Sequence, residues 1–168
     1  MGTGTAVYDA VFLGSDELMR KQPGRKALII LSDGVDNASK VSLETAVEAA
    51  LRSDTVIYSI LYSDDMAYGP GGGSGGGPWG GGARFPTSRP DGKSALERLS
   101  KQTGGRVFEA SKKLTVEQIY SIIQEELRNQ YSLGYTPDPD PGPGYRKIRV
   151  TAKEKDVTVH AREGYYAQ

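Results

Sequence analysis

Apolar positions recur along the first three quarters of the chain in two patterns. Helical spacing over about 6–21, 43–52 and 93–102, and again behind Thr115, predicts four amphipathic helices. Strand-length apolar runs at 27–31, 55–62 and 106–108 predict strands, the first of them buried on both faces of a sheet. Because helices and strands alternate, the sequence predicts an α/β fold with a parallel sheet and crossover helices.

The fourth helix has the most specific local signal. Thr115 and Gln118 stand at capping-box spacing, which fixes where the helix begins. Residues of the same stripe should face the core: Leu114, Ile119, Ile122, Ile123 and Leu127.

The C-terminal region changes to a period of two. Apolar and polar residues alternate over 147–152 and 157–162, which predicts a half-exposed antiparallel hairpin. Residues 131–135 also have strand character, and a proline-rich loop follows at 137–144. We therefore expect one domain over 1–136, interrupted by a mobile glycine-rich insert at about 66–92, and a hairpin extension over 137–168 packed on it.

The composition argues against nucleic-acid binding, thiolate chemistry and membrane insertion. The chain has 21 basic and 21 acidic residues, so no overall field favours nucleic acid or an anionic membrane surface. It has no cysteine, which excludes disulfides and thiolate chemistry. No apolar stretch approaches the roughly 20 residues that span a bilayer, and no signal peptide follows Met1, so we expect no membrane insertion.

Two residues offer oxygen ligands near one sheet edge. Asp33 follows the strand 27–31 directly, and ligands of open α/β sheets bind at the carboxyl ends of strands. Thr5 stands at the start of the first helix, and a hydroxyl with a carboxylate is the chemistry that Mg²⁺ prefers. From the residues alone, the alternative that Thr5 caps its helix and Asp33 starts a turn stays open.

The sequences around these residues resemble a known family. Residues 4–10 (GTAVYDA) and 27–34 (ALIILSDG) resemble the second and third loops of the metal-ion-dependent adhesion site of von Willebrand factor type A (VWA) domains. Residues 130–137 and 162–167 resemble a bacterial VWA-related subfamily first described from acidobacteria. The resemblance implies a Rossmann-like VWA sheet of mainly parallel strands with flanking helices, lacking the first strands, plus a C-terminal antiparallel β-hairpin.

By this resemblance the chain is an adhesion module and not an enzyme. Thr5 would coordinate Mg²⁺ or Mn²⁺, Asp33 would meet the metal directly or through water, and Ser32 would act only through hydrogen bonds to those ligands. A protein partner's acidic side chain would complete the coordination. The resemblance also implies a cell-envelope or extracellular location.

The family's first loop, an Asp-x-Ser-x-Ser sequence, is missing from this chain. We therefore interpret the chain as N-terminally truncated, with Met1 an internal methionine, and expect weak or no metal binding by the chain alone. The strand at 27–31 would then be an exposed edge that favours self-association. A metal-independent scaffold and, less favoured, a metal-assisted hydrolase using Asp33 stay open as alternatives.

Overall fold

A parallel three-stranded sheet forms the centre of the chain. In the computed structural model, the described residues are 4–62, 92–137 and 142–167. The strands are β1 (Lys26–Ser32), β2 (Thr55–Leu61) and β3 (Val107–Glu109), in the order β1-β2-β3. Both pairings are parallel, with Ile29 beside Tyr58 and Ile60 beside Phe108. The α/β class and the parallel sheet are confirmed.

In the described part of the chain, four α-helices flank the sheet: α1 (Val7–Leu13), α2 (Leu43–Arg52), α3 (Gly92–Thr103) and α4 (Val116–Arg128). The first three share a core with one sheet face, built around Val11, Ala50, Ile57 and Leu96. On the opposite face α4 packs against β2 and β3, with a core that comprises Tyr58, Ile60, Phe108, Ala110, Ile119 and Ile123. The chain is thus layered as helices, sheet and helix among the described residues.

The first helix has the predicted length but not a uniform geometry. After α1 the chain continues through a π-helical turn at Gly14–Leu18 and a 3₁₀ turn at Met19–Lys21. Ser15, in the π turn, is fully buried and its hydroxyl has no hydrogen-bond partner. A π turn adds a residue to the helix, which shifts the apolar stripe relative to ideal helical spacing.

The capping box predicted for the fourth helix is confirmed. In α4 the Thr115 side chain accepts from the Gln118 N–H and the Gln118 side chain accepts from the Thr115 N–H, which completes the capping box. In α2 the Ser42 side chain accepts from the Thr45 N–H. The prediction of Ile122 as a core residue is wrong, because it lies beside the α4 stripe and is exposed, whereas Ile123 is buried.

Among the described residues β1 is an edge strand of the sheet, in agreement with the exposed edge expected at 27–31. The prediction that it is buried on both faces is wrong, since Ile29 is 38% and Leu31 is 53% exposed. Leu28 and Ile30, which point to the other face, pack against the core. An uninterrupted apolar run is typical of a central parallel strand. In this fold the Ile29 and Leu31 side chains on one face of the strand are left exposed.

The antiparallel pairing in the C-terminal region is present but displaced. Strands β4 (Gly144–Lys147) and β5 (Gly164–Ala167) pair with Tyr145 opposite Tyr166, and the Ile148 N–H donates to the Glu163 carbonyl. The predicted strands at 147–152 and 157–162 are almost wholly irregular and largely exposed, so the hairpin prediction is right in topology and wrong in position. Residues 131–135 also form no strand.

The two-stranded sheet contacts the helical layer. The Tyr166 ring packs on the core of α1, α2 and α3, and the Arg52 guanidinium lies 4.4 Å from its centroid. The Glu163 N–H donates to the Gln102 carbonyl at the end of α3. Apart from Gly92, the glycine-rich insert at about 66–92 lies outside the described residues. No helix in the described ranges is long and apolar enough to cross a membrane.

Candidate functional site

Asp33 lies at the carboxyl end of the parallel sheet. It follows Ser32, the last residue of β1, and is exposed. Thr5 is also exposed and comes two residues before α1, whose N-cap is Ala6 and lacks a side-chain capping bond. Thr5 therefore does not cap the helix through its hydroxyl, which removes one of the two structural roles open from sequence.

The loop after β1 is bound to the start of α1. The Thr5 N–H donates to Asn37 Oδ1 at 2.8 Å, and the Thr5 carbonyl accepts from the Asn37 and Ala38 N–H groups at 3.1 and 3.2 Å. Gly4 lies so close to Ala38 that a Cβ on Gly4 would come within 2.6 Å of the Ala38 side chain. The structure thus brings the Thr5 backbone against the loop that begins at Asp33.

Asp36 is the centre of this contact. Its carboxylate accepts from the Tyr8 N–H of α1 at 2.9 Å and, within the loop, from the Ala38 and Ser39 N–H groups. The Ser39 hydroxyl donates to Oδ2 at 2.6 Å. Burial raises the pKa of Asp36, but these hydrogen bonds together outweigh it, and the pKa lies below its ordinary value.

Asp9 makes a second bridge between the same segments. Its Oδ1 accepts from the Lys40 and Val41 N–H groups, both at 2.9 Å, and its own N–H donates to the Ser39 hydroxyl. Sequence reasoning missed Asp9, Asp36 and Ser39. The Asp36-x-x-Ser39 spacing was the available signal, because a short acidic side chain readily accepts from N–H groups two and three residues on.

Asp33 itself forms a local turn. Its Oδ1 accepts from the Val35 N–H at 3.1 Å, and the Gly34 N–H donates to Ser32 Oγ at 3.0 Å. The Ser32 hydroxyl lies 3.5 Å from Asp33 Oδ1. Ser32 therefore holds the turn, and Asp33 combines a turn-forming role with an exposed carboxylate.

The amino end of α3 closes the other side of the turn. Gly34 has φ +78°, and a Cβ there would overlap the Gly92 carbonyl. Lys93 and Glu109 form an ion pair between the first turn of α3 and the last residue of β3. The carboxyl edge of the sheet thus brings together Asp33, the start of α3 and this pair.

The donor set fits a hard divalent cation in kind but not in number. Thr5 and Asp33 supply one hydroxyl and one carboxylate, whereas Mg²⁺ takes about six oxygen ligands. Among the described residues, no three His, Cys, Asp or Glu side chains are grouped closely enough to hold a metal. These two residues alone would therefore leave most of the coordination to water or to groups outside the described chain.

No protein-family model matches this chain, and neither the curated proteins nor the solved structures provide a match.

His160 lies away from this edge. It is exposed and lines a hollow of about 530 Å³ together with Gly105 and Arg106, which precede β3. The amino ends of parallel strands lie opposite the carboxyl ends, so the imidazole is not placed to act with Asp33. The hollow carries both signs of charge, and Lys101 pairs with Glu163 there at 3.5 Å.

Proposed function

We propose that this chain is part of a protein-binding module whose contact surface is the carboxyl edge of the parallel sheet, with Thr5 and Asp33 as its metal-binding residues. The observation that carries the proposal is the hydrogen-bonded contact between the Thr5 backbone and the loop that begins at Asp33. The resemblance of both segments to the VWA adhesion-site loops supports the same assignment.

Each group has a distinct task in this proposal. The Thr5 hydroxyl and the Asp33 carboxylate contribute oxygen ligands, while Asp36 and Asp9 fix the distance between their segments. If Mg²⁺ or Mn²⁺ were bound by Thr5 and Asp33, it would provide a Lewis-acidic centre for an acidic side chain of a protein partner. The 168 residues contain no Asp-x-Ser-x-Ser sequence, so most of the coordination would be left to water or to other groups.

A metal-independent scaffold is the second candidate. The Asp33 carboxylate already accepts from the Val35 N–H, both oxygens of Asp36 accept hydrogen bonds inside the protein, and Asp9 Oδ1 accepts two. Carboxylates used in this way stabilise a loop without any metal. The two candidates therefore differ in whether the Asp33 carboxylate binds a metal in addition to accepting the hydrogen bond that forms its own turn.

Isothermal titration of Mg²⁺ and Mn²⁺ into the full chain tests the metal assignment. We expect weak binding, with a dissociation constant on the order of 1 mM, that Asp33→Ala and Thr5→Ala both abolish. Asp16→Ala, which removes an exposed carboxylate from a helical ion pair, should leave binding unchanged. Binding that persists in Asp33→Ala would contradict the metal assignment, and no binding by the wild-type chain would show that Thr5 and Asp33 do not hold the metal by themselves.

Titration of an acidic peptide then tests the partner class. In the presence of saturating Mg²⁺, we expect amide chemical-shift changes confined to the Asp33 turn and the start of α3. Chelation should reverse those changes. Shifts that survive chelation would show that the peptide recognises the edge without metal.

A further inference from the structure

Within the described residues, β1 has one edge that pairs with no other strand. β1 pairs with β2 on one side only. The Ser32 carbonyl accepts from the Tyr62 N–H, so the backbone groups of Ser32, and of every second residue before it, face β2. The N–H and C=O groups of Ala27, Ile29 and Leu31 consequently face outward.

Two of these residues, Ile29 and Leu31, form an exposed apolar strip. They share a sheet face with Ala27, which packs against the core that α4 covers. Ile29 and Leu31 are 38% and 53% exposed at the uncovered end of that face. An edge with outward hydrogen-bonding groups and apolar side chains is a template for another strand.

The charges at the two ends of the strand are opposite. Arg25 and Lys26 stand at its start, and Asp33 follows its end, with only apolar residues and one serine between them. An antiparallel copy of the same strand places the basic start of each beside the acidic end of the other. A parallel copy places like charges together.

We propose that this edge binds a second copy of the chain, with the two β1 strands antiparallel about a twofold axis at Ile29. Ile29 then lies opposite Ile29 of the second copy, Ala27 opposite Leu31, and Arg25 opposite Asp33. The result is a continuous sheet across both copies, in the order β3-β2-β1-β1-β2-β3. The proposal does not rest on the metal site, and it deepens the self-association expected from the sequence.

Two requirements set the register: the outward-facing backbone groups must meet each other, and Arg25 must lie opposite Asp33. Outward-facing groups must meet outward-facing groups, which excludes shifts by one residue because those would oppose Ile29 to a residue bonded to β2. A shift by two residues keeps the hydrogen bonds but separates Arg25 from Asp33 and shortens the overlap. Centring on Ile29, the midpoint of Lys26–Ser32, satisfies both requirements. An interface in which the same patch serves both subunits is the usual arrangement in homodimers.

Sedimentation equilibrium of the full chain and matched variants tests the surface. We expect a reversible dimer at about 100 µM that Ile29→Lys converts to monomer, because two lysines would face each other across the axis. Leu18→Lys changes another exposed apolar residue and should leave the dimer unchanged. Circular dichroism must show both variants folded. A wild-type monomer up to about 1 mM, as expected if another strand of the protein covers this edge, would overturn the proposal.

Charge reversal tests the orientation. Arg25→Glu and Asp33→Lys should each raise the dimer dissociation constant about tenfold, and the double variant should restore it. Equal, additive weakening without restoration would contradict the antiparallel arrangement.

Cross-linking tests the register, because the chain has no cysteine. Ile29→Cys should form a disulfide-linked dimer on oxidation, since directly opposed residues of such a pair lie about 5.5 Å apart between Cα atoms. Ala27→Cys and Leu31→Cys should each cross-link poorly alone and efficiently as the double variant. Efficient cross-linking by Leu18→Cys, or by Leu31→Cys alone, would exclude the register.

Discussion

The Asp36 carboxylate binds both segments that meet at the carboxyl end of the sheet. It accepts from Tyr8 of α1 and from Ala38 and Ser39 of the loop after β1. Because Thr5 lies just before α1 and Asp33 begins the loop, this side chain and Asp9 together help to set the distance between the two candidate ligands. Asp36 is a positioning residue, since its acceptor sites are taken by the protein.

Asp36→Asn should destabilise the fold by about 1–2 kcal/mol, because the amide keeps one acceptor oxygen and turns an NH₂ group toward N–H donors. Urea unfolding monitored by circular dichroism measures the change. Asp33→Asn, which removes charge from an exposed carboxylate with one N–H donor, should cost less than about 0.5 kcal/mol. Equal effects of the two substitutions would contradict the positioning role of Asp36.

The lowered pKa of Asp36 predicts a pH-dependent contribution to stability. The stabilisation is present above the unfolded-state pKa of about 3.9 and is lost as the pH falls through the lower folded-state pKa. The stability difference between wild type and Asp36→Asn should therefore be constant near neutrality and shrink below about pH 4. Urea unfolding across that range gives the profile, and a difference that grows on acidification would have the wrong sign.

At the scale of elements, the site depends on a close approach of two backbones. The turn after β1 packs against the first residue of α3 at Gly34 and Gly92, and neither position has room for a Cβ. Gly34 in addition has a positive φ, which L side chains rarely adopt. The close packing of α3 against the end of β1 thus requires glycine at both Gly34 and Gly92.

Gly34→Ala should cost about 3 kcal/mol or more, since it adds steric overlap with Gly92 to the cost of the positive φ. Gly24→Ala is a matched control, because Gly24 has φ +82° with nothing near its Cβ position, and it should cost only about 1 kcal/mol. Thermal unfolding of both variants isolates the steric part. If the two melting temperatures fall equally, the turn moves away from α3 at no cost.

At the scale of the whole molecule, Tyr166 is the aromatic contact between the C-terminal strands and the helical layer. Tyr166 packs on the core of α1, α2 and α3 under the Arg52 guanidinium, and Arg162 pairs with Asp54 at 2.6 Å nearby. Burial raises the pKa of the Tyr166 phenol, and the nearby Glu48 carboxylate raises it further. The two-stranded sheet is therefore part of the same folded unit as the parallel sheet in the described residues.

Tyr166→Ala should destabilise the chain by about 2 kcal/mol and release the two-stranded sheet from the helices. Limited proteolysis should then cut the C-terminal region faster while the parallel-sheet core persists. Tyr145 lies opposite Tyr166 and is 49% exposed, so Tyr145→Ala should have a smaller effect on both measurements. Loss of the entire fold in Tyr166→Ala would mean that the core requires the two-stranded sheet.

The sequence by itself determined most elements, because their signals are local. Apolar spacing placed four helices and three parallel strands to within a few residues, and the Thr115 capping box fixed the start of α4. It also placed Asp33 after a strand. The VWA resemblance, which assigns its role, stays a prediction.

Only the tertiary structure decided which surfaces are covered and which groups meet. Apolar pattern cannot tell an edge strand from a central one, since burial of Ile29 and Leu31 depends on a neighbour that is distant in sequence. The bridges from Asp36 to Tyr8 and from Asp9 to Val41 join residues about thirty positions apart, and no local pattern reports them. The predicted position of the hairpin was wrong for the same reason. Alternation marks residues that are able to form a half-exposed strand. Where the two strands pair depends on the contacts of Tyr166 and Glu163 with the helical layer.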